Sequence, residues 1–148
     1  MSSPAELSAS ELPMDSTLTG PVLIIGSGLL GASIGLGLRA AGCEDVYVQD
    51  ISPTAEAVAQ DIGAGTSIST LSEEERASLA PQLVVVAAPP DSAGAVCARA
   101  LNTYAPRPEA GYPGAVVTDV ASVKVQPLAD VLASGADASR YVGSHPMA

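Results

Sequence analysis

Three regularly spaced glycines, Gly26, Gly28 and Gly31, follow the apolar run of residues 22–25 in the pattern GxGxxG. Between a strand and a helix, the first glycine allows a tight turn, the second lets a pyrophosphate approach the backbone, and the third lets the helix pack closely on the sheet. The unpaired N–H groups and positive dipole end of such a helix attract the anion. The pattern therefore predicts a dinucleotide site. The residues of this turn expected to hold the cofactor are Gly26, Ser27, Gly28, Leu29, Leu30 and Gly31.

Asp50 is the second candidate, because it ends the predicted strand Val46–Val48 and follows Gly31 at roughly 20 residues, the distance typical of the acid that binds the ribose hydroxyls. Its carboxylate would repel a 2′-phosphate, and the residues that follow, 51–53, include no arginine to bind one. The sequence therefore favours NAD over NADP.

Polar side chains also follow the later predicted strands. Asp119, Ser122 and Lys124 come after the fifth strand, and His145, the only histidine, comes after the sixth. Because the carboxyl ends of parallel strands meet at one edge of a sheet, His145 is predicted on the same edge as the glycine turn. An imidazole there suits a general base or a hydrogen-bond partner of a substrate hydroxyl.

The elements that must position these residues alternate between strands and helices. This alternation predicts an α/β fold, a doubly wound parallel sheet of the Rossmann type in the order 3-2-1-4-5-6 with helices on both faces. Ala88 and Pro89 follow strand 4 and are predicted to border the cofactor. The predicted strands are 22–25, 46–48, 66–69, 83–87, 115–118 and 141–143. The predicted helices are 29–42, 53–62 with Ser52 as cap, 72–79 with a Ser72–Glu75 capping box, one capped by Asp91 or Ser92 and reaching Tyr104, and 122–134.

Composition narrows the class of protein. The net charge is −10 and the six cationic residues are scattered, so neither a nucleic-acid partner nor a membrane partner is expected. Cys43 and Cys97 fit no metal spacing, and the acidic run 73–75 is expected to be the first turn of a helix, so no metal site is predicted. Reduced, buried thiols and no signal peptide indicate a cytoplasmic protein. Residues 1–19 are expected to be a disordered tail, and 20–148 the dinucleotide-binding domain.

Two short motifs carry a resemblance to a known family. The segments TDVASVK, residues 118–124, and GSHPMA, residues 143–148, resemble a motif pair of prephenate dehydrogenases, which related arogenate dehydrogenases share. The glycine turn and the segment VVVAAPPD at the end of strand 4 also resemble that family, so the likeness covers about residues 21–148.

The resemblance implies a function in tyrosine biosynthesis, the NAD-dependent oxidation of prephenate to 4-hydroxyphenylpyruvate and CO2. His145 matches the histidine that takes the proton of the ring hydroxyl, and Ser122 matches the serine that helps position that histidine and the hydroxyl. For Lys124 two readings stay open: it orients the site, or it is a solvated cation near a helix start.

The family pattern also sets limits. Its members continue past the His-Pro-Met motif into a helical domain that forms a homodimer and closes over the substrate, whereas this chain ends at Ala148. None of its five arginines lies in a motif that matches a site for the two carboxylates of prephenate. We therefore expect this chain to bind NAD(H), to turn over prephenate negligibly, and to self-associate through apolar surface that the second domain would cover.

Three alternatives remain at this point. The chain belongs to an arogenate dehydrogenase, to another NAD-dependent dehydrogenase of the same fold class such as a β-hydroxyacid or imine-reducing enzyme, or to a non-catalytic module that senses NAD.

Overall fold

A computed structural model describes residues 18–145 of the chain. Residues 1–17 of the predicted tail, and the Pro-Met-Ala end of the last motif, lie outside this range. The strands are β1 Val22–Ile25, β2 Val46–Gln49, β3 Thr66–Ser67, β4 Leu83–Val86, β5 Val116–Asp119 and β6 Tyr141–Gly143. The α-helices are α1 Leu29–Ala40, α2 Pro53–Asp61, α3 Glu73–Ser78, α4 Pro90–Thr103 and α5 Val125–Ala133.

The six strands form one sheet in the order β3-β2-β1-β4-β5-β6, and every neighbouring pair is parallel. Neighbouring residues of β1 point to opposite faces. Leu23 packs with β4, β5, α4 and α5, whereas Val22 and Ile24 pack with β2, α1 and α2. A core therefore lies on each face of the sheet, and the predicted doubly wound fold and strand order are confirmed.

Two predicted helix caps are confirmed. The Ser52 hydroxyl accepts a hydrogen bond from the Ala55 N–H at 3.2 Å, and Pro53 is the first residue of α2. Ser72 and Glu75 form the reciprocal capping box of α3. Both caps satisfy N–H groups that the first turn of a helix leaves without an intrahelical partner.

Other predicted boundaries were wrong. Helix α4 begins at Pro90 and not after a cap at Asp91 or Ser92, because proline with its restricted φ fits the first helical position. Helix α5 begins at Val125 and not at Ser122, because the end of β5 holds the intervening residues by hydrogen bonds described below. Strand β3 ends at Ser67, and a short 3₁₀ turn follows it.

The two cysteines differ in their environment. Cys97 is fully buried, and burial raises the pKa of its thiol to about 12, so it stays protonated and unreactive at neutral pH. Cys43 is only half-buried, because it lies in the loop after α1 rather than inside a helix. The prediction of a buried thiol therefore holds for Cys97 and is wrong for Cys43. Neither forms a disulfide.

Candidate cofactor and active site

The glycine turn has the geometry that the sequence predicts. Gly26 has a φ of +99°, and a Cβ there would lie 2.6 Å from the Ala87 carbonyl oxygen. A Cβ on Gly31 would lie 1.8 Å from the carbonyl oxygen of Gly26, so this residue lets α1 approach the turn. A Cβ on Gly28 would meet no atom within 4 Å. Gly28 therefore borders open space at the start of α1, beside the N–H groups of the first helical turn.

Asp50 lies directly below this turn. Its Oδ2 accepts hydrogen bonds from the Ser27 N–H at 2.7 Å and the Ser27 hydroxyl at 3.0 Å, and its Oδ1 accepts one from the Ser52 N–H at 2.8 Å. Burial opposes ionisation of Asp50, but these hydrogen bonds outweigh it and lower its pKa. The carboxylate is therefore charged at neutral pH. Its oxygens retain lone pairs for further donors such as ribose hydroxyls.

A groove of about 1170 Å³ runs along this edge of the sheet. Asp50 lines it, and so do Ala88 and Pro89 at the end of β4. The residues of the turn that line it are Gly26, Gly28, Leu29, Leu30 and Gly31. Ser27 is buried instead, where it holds Asp50. The structure brings these residues together, and their contact with a cofactor stays a prediction.

Three side chains in this region were not predicted as site residues from the sequence. Arg76 and Arg99 line the groove beyond the glycine turn. Glu56 of α2 is 3% exposed and accepts hydrogen bonds from the Asp50 N–H at 2.9 Å, the Ser69 N–H at 3.1 Å and the Ser67 hydroxyl. A single acidic residue in a helix matches no sequence motif. The one available signal was its position in the first turn of α2, three residues after Pro53.

His145 and Ser122 meet at a second, smaller cavity. The cavity measures about 310 Å³, and both residues line it. Leu30, Ala87 and Ala88 line this cavity and the groove alike, so the two spaces adjoin. The histidine therefore lies on the same rim as the glycine turn, as the sequence predicts. Its chemical role stays a prediction.

Asp119 lies beneath this cavity, at the end of β5, and is completely buried. Its Oδ2 accepts hydrogen bonds from the Lys124 Nζ at 2.6 Å and the Ala121 N–H at 3.0 Å, and the Tyr141 hydroxyl donates to its Oδ1. Its carbonyl oxygen accepts bonds from the Ser144 N–H at 3.0 Å and the Ser144 hydroxyl at 2.9 Å. Lys124 is therefore not a free solvated cation, because its ammonium pairs with the buried Asp119 carboxylate while its side chain stays 35% exposed.

Other cations have structural roles. Arg140 donates to the carbonyl oxygens of Leu101 and Ala115, both at 2.8 Å, and Arg107 donates to those of Ala77 and Leu79. Among the described residues that line the cavity at His145, none is a lysine or an arginine. This part of the chain therefore provides no cation there for a substrate carboxylate.

Two further features bear on the kind of site. Within residues 18–145, no group of three or more histidine, cysteine or acidic side chains is arranged to hold a metal ion. In the same part of the chain, every helix is too short or too polar to span a membrane.

The parallel sheet, the glycine turn and the acid at the end of β2 define a dinucleotide-binding domain of the Rossmann class. The family model "Prephenate dehydrogenase, nucleotide-binding domain" matches residues 34–148. NovF of Streptomyces niveus, named a probable prephenate dehydrogenase, is 38% identical over 125 residues. The chain belongs to the prephenate dehydrogenase family, as its motifs indicated, and is a dehydrogenase nucleotide-binding domain.

Solved structures agree with this assignment. Prephenate dehydrogenase from A. aeolicus, in complex with hydroxyphenyl propionate and NAD+, superposes with a TM-score of 0.68 at 26% identity. The match covers 89% of this chain and 43% of that one, while the match to NovF covers 84% of this chain and 30% of NovF. An imine reductase from Pseudomonas sp., at 17% identity and a TM-score of 0.57, shares the fold. The chain thus spans less than half the length of these relatives.

Proposed function

We propose that this chain is the NAD-binding part of an enzyme that converts prephenate to 4-hydroxyphenylpyruvate and CO2 in tyrosine biosynthesis. One observation carries the proposal: the cavity of His145 and Ser122 adjoins the groove of the glycine turn through Leu30 and the end of β4. A cofactor in the groove would thus have its reactive end beside the imidazole. The family membership supports prephenate as the substrate.

The residues of the groove would hold NAD in distinct ways. The first turn of α1 faces the pyrophosphate, and the open space at Gly28 admits it. The carboxylate of Asp50 accepts bonds from the ribose hydroxyls and repels a 2′-phosphate, which favours NAD over NADP. Ala88 and Pro89 border the cofactor from the end of β4.

His145 and Ser122 act on the substrate. NAD held in the groove would supply the acceptor for the hydride that leaves the substrate ring carbon. Loss of that hydride builds carbonyl character at the carbon, so the hydroxyl proton becomes more acidic and the imidazole of His145 accepts it. Ser122 positions the imidazole and the hydroxyl. Loss of CO2 with aromatisation then makes the reaction effectively irreversible.

The substrate carboxylates need cations that the His145 cavity does not provide. We propose that these cations come from a second domain, and that this domain also forms a homodimer. We propose a small-molecule acid as the substrate. The scattered cations support neither a nucleic-acid nor a membrane partner, and a reduced, cytoplasmic setting fits the free thiols. Arogenate in place of prephenate would leave the roles of His145 and Ser122 unchanged.

Cofactor choice is tested by thermal unfolding of the chain with NAD+ and NADP+. NAD+ at 100 times its dissociation constant should add about 2.7 kcal/mol to the free energy of unfolding. Asp50→Asn should reduce the preference for NAD+ over NADP+. A larger stabilisation by NADP+ in the unaltered chain would contradict the role of Asp50.

Turnover is tested in a chimera in which residues 20–148 replace the matching domain of the A. aeolicus enzyme. We expect the chimera to form NADH with prephenate or arogenate, and His145→Asn to abolish this while NAD+ still binds. The isolated chain should form negligible NADH with prephenate. Turnover of simple hydroxy acids or imines alone would favour another dehydrogenase, and NAD binding without any turnover would favour a sensor.

A further inference from the structure

We propose that Asp119 is a positioning residue that fixes Ser122 and His145 relative to each other, with Lys124 and Tyr141 as its braces. The inference rests on the proposed function of Ser122 and His145. It gives a role to the carboxylate of Asp119, which is fully buried. This carboxylate cannot touch a substrate, so it acts only through the residues that it holds.

The carboxylate joins two segments that are far apart in the sequence. Its Oδ2 holds the segment after β5 through the Ala121 N–H and the Lys124 Nζ, on either side of Ser122. Its Oδ1 holds β6 through the Tyr141 hydroxyl. Every one of these donors serves the same carboxylate. A shift of one segment therefore displaces the group that holds the other.

The main chain of Asp119 completes the link to the histidine. Its carbonyl oxygen accepts bonds from the N–H and the hydroxyl of Ser144, the residue before His145. The Thr118 hydroxyl also donates to the Ser144 hydroxyl at 2.9 Å. The backbone that leads into the imidazole is thus held on two sides by the last two residues of β5.

Lys124 contacts both segments as well. Its ammonium donates to the Asp119 carboxylate, and its stem lies over β6, since a Cβ on Gly143 would be 3.3 Å from the Lys124 Cδ. The side chain is 35% exposed, whereas the carboxylate is fully buried. A buried carboxylate needs such a partner, because leaving it unpaired is costly. Lys124 therefore closes the network from the solvent side.

Tyr141 supplies the neutral brace. Burial and the nearby Asp119 carboxylate raise the pKa of its phenol. The hydroxyl is therefore protonated at neutral pH and donates its hydrogen bond to Oδ1. The network thus joins a carboxyl group, an amine and a phenol around the single side chain of Asp119.

The sole histidine makes the inference directly measurable by NMR. In the chain with 13C-labelled histidine, the imidazole of His145 gives one Cε1–Hε1 signal, and the Ser122 amide is followed in a 15N spectrum. Two variants each change one segment and are observed in the other. Lys124→Met changes a residue remote in sequence from His145, and Tyr141→Phe changes a residue remote in sequence from Ser122. The decisive cross-effect is that of Tyr141→Phe, which should shift the Ser122 amide. Lys124→Met should also shift the His145 signal, although part of that shift can come from the contact of the Lys124 stem with Gly143.

Arg39→Met is the control for loss of a cation, since it also removes one positive charge but from an exposed position outside the network. Arg39 lies in the last turn of α1, and the carboxyl end of this crossover helix lies at the opposite edge of the sheet. It should leave both signals in place. Asp119→Asn should move both signals together, and Tyr141→Phe, which removes one hydroxyl, keeps the test valid if Asp119→Asn does not fold.

Either result is informative. Cross-effects larger than those of Arg39→Met, with the amide signals of the glycine turn unchanged, support the shared anchor. Cross-effects no larger than the control in folded Lys124→Met and Tyr141→Phe would overturn it. The measurement uses neither NAD nor prephenate, so it stands apart from a failure of the proposed function.

Discussion

The two ends of the candidate site differ in the hydrogen-bond donors that hold their acidic residues. At the cofactor end, Asp50 is held by backbone N–H groups and the Ser27 hydroxyl, and Glu56, which holds the Asp50 N–H, also has only neutral donors. At the histidine end, Asp119 pairs with the charged Lys124 and with Tyr141. Backbone donors exist whatever the neighbouring side chains are, whereas a charged pair depends on two particular residues. We therefore expect substitutions that clash with the backbone to disrupt the cofactor end. Substitutions that remove a partner side chain should disrupt the histidine end.

The largest expected effect is at Gly31. In Gly31→Ala the new Cβ would lie 1.8 Å from the Gly26 carbonyl oxygen, so α1 must move away from the turn. We expect a loss of about 3 kcal/mol in the free energy of unfolding, measured in urea, together with a loss of NAD+ binding.

Gly37→Ala in the same helix is the matched control. A Cβ there meets no atom within 4 Å, so the exchange should stabilise the chain by about 0.5–1 kcal/mol through helix propensity. Equal effects of the two exchanges would show that packing of α1 on the turn does not shape the cofactor end.

The cofactor end was predictable from the sequence because its rules are local. Gly26 and Gly31 are needed because a Cβ at either position would clash with the backbone. Asp50 follows β2, a strand that the apolar residues before it predict. The same holds for the strand order, because helices between short apolar strands leave few topologies. Periodicity and glycine spacing therefore carried the fold and one half of the site.

The histidine end was only partly predictable, because its geometry depends on contacts between distant segments. No local sequence pattern shows that the Asp119 carboxylate accepts a hydrogen bond from the hydroxyl of Tyr141, 22 residues further on. That network also explains why Lys124 stayed undecided and why α5 starts at Val125 rather than at Ser122. Glu56 escaped for the same reason, since its partners Ser67 and Ser69 lie in another element.

The next largest effect concerns Glu56. Burial opposes its ionisation, but hydrogen bonds from Ser67, Ser69 and Asp50 outweigh it and lower its pKa. Its charge therefore stabilises the fold at pH values above the unfolded pKa, and this contribution is lost as the pH falls through the folded pKa. Glu56→Gln should cost about 2 kcal/mol at pH 7, and urea unfolding should show the difference narrowing in acid. A difference that persists unchanged at low pH would contradict the charge argument.

Tyr141→Phe should have a smaller effect at the other end. It removes one hydrogen bond to a charged acceptor, which contributes about 1.5 kcal/mol. Because the folded pKa of Tyr141 is raised, this contribution is complete below the unfolded pKa and is lost as the pH rises through the folded pKa. Unfolding in urea at neutral and alkaline pH checks both statements. NAD+ affinity should stay unchanged, since Tyr141 serves only the histidine end.

The smallest effect should come from Ser52, whose two polar groups do separate work. Its hydroxyl caps α2, whereas its backbone N–H holds the Asp50 carboxylate. Ser52→Ala should therefore cost about 1 kcal/mol of stability and leave NAD+ affinity unchanged, as calorimetric titration would show. Ser72→Ala, which removes the cap of α3, is the control for a cap remote from Asp50. If Ser52→Ala alone weakened NAD+ binding, the cofactor end would depend on a side chain after all, and its contrast with the histidine end would fail.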